Sequence, residues 1–112
     1  VLHYTAVSLE RTLAIFADPA RGVMAHLVIA PDGAVHEVAP CLDETVVMGH
    51  HAGLSRLNTA EGRIEDLNRC SIGIELVNVN GNLFPYTDEQ YRSLDGVLRY
   101  LRSVHPALHS PD

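Results

Sequence analysis

Two residues far apart in the sequence are of types that could do chemistry together. His3 lies between Leu2 and Tyr4, and Glu75 lies between Ile74 and Leu76. A neutral imidazole with a fixed partner is the commonest metal ligand, and a carboxylate beside it is a natural general acid or base. A carboxylate inside an apolar run is costly to bury unless it is paired or used. Glu75 therefore either points off a sheet into solvent or lines a site. If the strand bearing His3 neighbours the strand bearing Glu75, both face one cleft. The plainer reading is a hydrogen-bonded core histidine and a surface glutamate, and residue types alone lean that way.

The segment Gly49-His50-His51-Ala52-Gly53 is a second candidate. Adjacent residues of an extended segment point to opposite sides, so at most one of His50 and His51 faces a given cleft. The two glycines suggest a tight backbone path. A substrate contact and a polar turn at a sheet edge fit this segment equally well. His26 and His36 fall in a hairpin and read as structural, whereas His105 and His109 read as surface residues. No H-E-x-x-H or C-x-x-C spacing occurs, so no self-contained zinc motif exists. G-x-S-x-G and Walker-type loops are absent as well. Cys41 and Cys70 could pair, but two buried free thiols fit better.

The elements that must position these residues follow from a chain of 112 residues, 46% hydrophobic and 20% charged, which fits one globular domain. The formal charge is −6 and all eight basic residues are scattered arginines. That argues against nucleic acid, which calls for clustered Lys and Arg. No run approaches the roughly 20 apolar residues of a membrane span. No signal peptide is visible, yet the chain opens on what reads as the inside of a strand and lacks an initiator Met, so trimming is expected. Oligomeric state is not legible.

Residues 1–5 read as a strand, and Ser8 caps a helix through Ala17 that Asp18-Pro19 ends. Residues 23–30 and 34–38 form a hairpin about the Pro31-Asp32-Gly33 turn. Leu54 to Arg69 reads as a long loop with one helical turn around Ile64. Ile72, Ile74, Leu76 and Val77 mark a buried central strand. Thr87 and Gln90 make a capping box, followed by the helical stripe Tyr91, Leu94, Val97, Leu98, Leu101 and Val104, all read as core. Pro106 ends that helix. Strand, helix, hairpin, loop, strand and helix in this order argue for an α/β fold, a mixed sheet with helices packed on it.

An ordered set of pieces then carries a resemblance. Leu2-His3-Tyr4-Thr5-Ala6, Ala25 to Ile29 with Pro31-Asp32-Gly33, His51-Ala52-Gly53 with Ser55, Asn68 through Glu75, and Tyr86-Thr87 with Gln90 occur in sequence. Together they resemble the type 2 N-acetylmuramoyl-L-alanine amidases, relatives of the peptidoglycan recognition proteins, across essentially the whole chain. The resemblance implies a mixed sheet flanked by helices and a bacterial zinc hydrolase that cuts between the muramoyl lactyl group and L-Ala of peptidoglycan or a muropeptide. It makes His3 a Zn2+ ligand and Glu75 the residue that assists the zinc-bound water and then protonates the leaving amine. His51, Ala52, Gly53 and Asn68 would line the substrate groove. The remaining two ligands, a His and an Asp or Cys, would lie beyond Asp112 and leave the chain incomplete at both ends. The alternative is a non-catalytic peptidoglycan-binding module of the same fold. Such a substrate implies the cell envelope, periplasm or exterior, or a cytoplasmic recycling role. The aromatic residue common before His-Ala-Gly is His50 here, and Arg56-Leu57 stand where the family has Trp.

Overall fold

The computed structural model describes residues 1–43, 46, 48–51, 56–59, 62–65, 68, 71–79 and 85–108. Its elements are β1 (Leu2–Ala6), α1 (Leu9–Ala17), β2 (Leu27–Ile29), β3 (Val35–Glu37), β4 (Arg56–Thr59), β5 (Gly62–Glu65), β6 (Ile74–Val79) and α2 (Asp88–Val104). The main sheet has the order β1-β6-β2-β3, with β1 and β2 both parallel to β6 and β3 antiparallel to β2. The central strand is thus β6. Pairing on both sides leaves neither edge of β6 to water, which fits its largely apolar sequence.

Register decides which side chains share a face. Leu2, Ile74 and Leu27 are in line across the three parallel strands, as are Tyr4, Leu76 and Ile29. Leu27, Ile29, Ile74 and Leu76 pack against Leu94, Val97, Leu98 and Leu101 of α2. The helix covers β6 and β2 but stops short of β1, where Leu2 is 51% and Tyr4 46% exposed. The intervening row is His3, Glu75 and Val28, which period-two alternation places on the opposite face.

Both helix starts follow from local sequence. The Ser8 side chain accepts the Arg11 N–H at the head of α1. At α2 the Thr87 hydroxyl accepts Gln90 N–H while Gln90 Oε1 accepts Thr87 N–H, a reciprocal capping box. The β2–β3 turn carries Gly33 at φ +88°, and its carbonyls take hydroxyl donors from α2: Thr87 to Pro31 and Ser93 to Gly33. A Cβ on Gly33 would lie 3.1 Å from the Glu89 carbonyl oxygen, so this docking also depends on a bare backbone.

Four expectations are corrected. The strand expected from Val23 begins only at Leu27, because Met24 N–H leaves the ladder for the His50 carbonyl and His26 and Leu27 both donate to the Gly73 carbonyl. Within the expected loop Leu54 to Arg69, β4 and β5 pair antiparallel in a separate two-stranded sheet. Tyr91, read as core, is 55% exposed, and its neighbour Gln90 is the buried residue. The Gln90 amide donates to the Ile29 and Val77 carbonyls at 3.3 and 2.8 Å, bridging β2 and β6. His105, read as a plain surface residue, reaches the Cys41 carbonyl at 2.8 Å with Nε2. Cys41 itself is a buried free thiol; Cys70 and His109 lie outside the described residues.

Candidate active site

His3 and Glu75 are partners in the β1–β6 register, side by side on one face. In adjacent parallel strands about 4.8 Å apart, such a pair shares one patch of sheet surface. Burial, with fully buried Val28 as Glu75's other neighbour in the row, pushes the carboxyl up to about 7. Burial also lowers His3, and the positive Val1 amino group adds to this. The two groups thus sit in a place that disfavours charge on either. Among the described residues, the buried His3 Nε2 has no hydrogen-bond partner.

A third imidazole joins them from the loop before β4. The His51 ring lies edge-on to His3 at 5.9 Å between centroids and edge-on to His26 at 5.6 Å. Gly73 makes the room: a Cβ there would lie 2.5 Å from His51 Cγ. The Gly73 N–H donates to His26 Nδ1 at 3.0 Å, which fixes the fully buried His26 against the start of β6. His51 N–H donates to Asn68 Oδ1 at 2.8 Å, and His51 Nε2 stands 3.4 Å from Ser71 Oγ. Burial is the largest influence on His51 too, and lowers its pKa. His50, next in sequence, is exposed.

The residues singled out from sequence therefore divide. His3, Glu75 and His51 come together, with Asn68 behind His51 as its backbone anchor. Ala52, Gly53 and Ser55 lie outside the described residues. Sequence reasoning passed over His26 and Ser71 as members of this region. Only the non-local pairing of β1, β2 and β6 reveals these neighbours. Tyr86 packs on the other side of the sheet, against the core cluster under α2 and edge-on to Tyr91. An open cavity of about 270 Å³ adjoins the site through Asn68 and Ser71 and is otherwise walled largely by apolar residues such as Val46, Met48 and Leu108.

An unpartnered, buried imidazole nitrogen is what a metal ion takes, so His3 Nε2 fits as one donor. Among the described residues, no three His, Cys, Asp or Glu side chains are grouped to hold a metal ion. A zinc site needs at least three protein donors, so these residues do not complete one.

A mixed sheet with a helix on one face and a half-buried imidazole–carboxylate pair on the other is the amidase type of α/β fold. The chain belongs to the N-acetylmuramoyl-L-alanine amidase family, which it matches over residues 1–111. It is similar to the solved amidase AmiD from E. coli, with a TM-score of 0.74 and 23% identity over 91% of this chain and 41% of that one. That protein was solved in complex with anhydro-N-acetylmuramic acid-L-Ala-D-gamma-Glu-L-Lys. It is also similar to AmpD, with a TM-score of 0.64 and 28% identity over 96% of this chain and 65% of that one. AmpDH3 from Pseudomonas aeruginosa, solved with anhydromuramic pentapeptide, gives a TM-score of 0.75 and 23% identity over 94% and 44%. The chain thus spans less than two thirds of the length of each of these proteins. A search among curated protein sequences gives no significant match.

Proposed function

We propose that this chain carries part of the catalytic face of a zinc-dependent N-acetylmuramoyl-L-alanine amidase, which hydrolyses the amide between the muramoyl lactyl group and L-Ala of peptidoglycan-derived stem peptides. The observation that carries the reading is the register pairing of His3 with a Glu75 carboxyl pushed up to about 7. Family membership and the muropeptide complexes of AmiD and AmpDH3 support the substrate class.

Amide hydrolysis needs a proton taken from water as it attacks the carbonyl and a proton given to the departing amine. A carboxyl that titrates near neutrality can do both in turn. Glu75 takes the first proton at a carboxylate oxygen and returns it to the L-Ala nitrogen. His3 would hold the zinc through Nε2, with further donors not among the described residues. A bound zinc supplies Lewis-acid polarisation of the amide carbonyl and a more acidic water.

The test is release of stem peptide from an anhydro-muropeptide and from intact sacculi, followed by mass spectrometry with the zinc-loaded full-length protein. Glu75→Gln is expected to lower the rate by about 100-fold or more, the usual worth of a general acid–base. Absence of release by the unmodified protein, or equal rates for Glu75→Gln, would sink the reading.

A further inference from the structure

We infer that His51 is a positioning residue that holds the His3 imidazole in place, and that Gly73 exists as glycine to seat it. This inference rests on the reading of His3 as a working residue of the site. It departs from the substrate contact that the family resemblance implies for His51.

One ring nitrogen of His51 is buried and the other lies against a neighbouring hydroxyl. Nδ1 is buried and has no hydrogen-bond partner among the described residues. Nε2 points to Ser71 Oγ, 3.4 Å away. What the ring does present is its edge and face to two other imidazoles, His3 on one side and His26 on the other. His26 is anchored to the Gly73 backbone, so the row has one fixed end. Among the described residues, His3, at the other end, lies on an outer strand and has no hydrogen bond at Nε2. Its ring orientation must then come from packing, and His51 is the ring packed on it.

His51 is itself held on several sides. Its N–H is clamped by the buried Asn68 side chain at 2.8 Å. Beneath the ring, a Gly73 Cβ would come within 2.5, 2.8 and 2.9 Å of His51 Cγ, Cδ2 and Cβ. No side chain fits at position 73 unless the ring moves. The Gly73 carbonyl meanwhile accepts N–H groups from His26 and Leu27 at 2.9 and 3.2 Å, so the backbone under the ring is pinned as well. A wedge so constrained can define its neighbour's rotamer, and a group supporting a ligand from behind is commonly worth 10- to 100-fold in activity.

The experiment compares His51→Ala, which removes the wedge, with His51→Phe, which keeps a flat ring and removes both nitrogens. Long-range proton–nitrogen spectra of the imidazoles in the full-length protein read His3 directly, without requiring activity. His51→Ala should broaden or shift the His3 signals and lower kcat for stem-peptide release about 10- to 100-fold, with KM changed less than about 3-fold. His51→Phe should leave the His3 signals in place and retain most of kcat. Should His51→Ala not fold, His51→Leu serves in its place, having bulk but no flat ring. An unchanged His3 spectrum in the Ala or Leu variant would overturn the inference, as would a rise confined to KM. A His51→Phe variant as damaging as His51→Ala would overturn it too. If the unmodified protein releases no stem peptide, the amidase reading falls while the His3 spectra still decide the role of His51.

Discussion

His3 and Glu75 are 72 positions apart in sequence yet occupy one rung of the sheet, joined by the parallel pairing of β1 with β6. Val28 completes the rung on the other side of Glu75 and is fully buried. The carboxylate therefore has a dry hydrocarbon on one flank and an imidazole disfavoured as a cation on the other. Neither neighbour compensates its charge, which is why its proton affinity rises.

That placement has a stability cost with a definite sign. The folded-state carboxyl titrates at about 7, above the ~4.3 of an unfolded glutamate. Its contribution is therefore full below pH ~4.3 and is lost as pH rises through 7. With metal chelated, the protein is expected to be less stable at pH 8 than at pH 5 by about 1–2 kcal/mol on this account, a figure reduced for partial solvent access. Glu75→Gln should flatten that difference, so the variant becomes the more stable protein at pH 8. Urea unfolding of both proteins at the two pH values checks it.

Gln90 offers a test of the scaffold. Its amide serves the Ile29 and Val77 carbonyls and its Oε1 the Thr87 N–H, all from a side chain 1% exposed. Gln90→Leu should cost about 2–4 kcal/mol, because buried backbone groups lose partners that water cannot replace. Thr87→Ala should cost about 1 kcal/mol, the worth of an N-cap. Chemical denaturation midpoints measure both.

Cys41 should be inert in the folded protein. It is fully buried, and burial, followed by the charges of Glu37 and Asp43, pushes the thiol up to about 11. Thiolate is the reactive form. Iodoacetamide at pH 8 should leave Cys41 unmodified until denaturant is added, as read by peptide mapping. Extensive native labelling at Cys41 would contradict the packing.

His50 and His3 should behave oppositely. His50 is exposed, and its one described bond is made by the backbone, where its carbonyl accepts Met24 N–H. His50→Ala should leave stability within about 0.5 kcal/mol, as for most surface changes, and turnover within about twofold. His3→Ala should abolish stem-peptide release, a loss of about 100-fold or more if it holds the metal.

How much of this was legible in the sequence depended on the reach of each interaction. The capping box at Thr87 and Gln90 was legible because both partners lie within one turn. The β2–β3 turn was legible because Pro31-Asp32-Gly33 carries its geometry locally. The β4–β5 hairpin was missed because Arg56–Thr59 and Gly62–Glu65 contain one apolar residue each, Leu57 and Ile64, too few to set a period. Gln90 was read only as a cap and Tyr91 as core, since burial of an amide here answers strand carbonyls 13 and 61 positions away. The same limit applied to the site. Glu75 stood out as a charge among apolar residues, but only the order β1-β6-β2 brings His3, His26 and His51 around it.

The position of β1 gives the fold an uneven hold on His3 and Glu75. Among the described strands, β1 pairs only with β6, and α2 does not cover its Leu2 and Tyr4. Glu75 stands on a strand clasped from both sides and backed by the helix, so it can leave only when the whole core opens. His3 stands on a strand that can peel away while β6, β2 and α2 stay folded, an excursion costing less than global unfolding. Amide exchange should record this as faster opening along Leu2–Ala6 than along Ile74–Asn78. The protein would then part from its histidine, and any ion resting on it, well before it parted from its carboxylate.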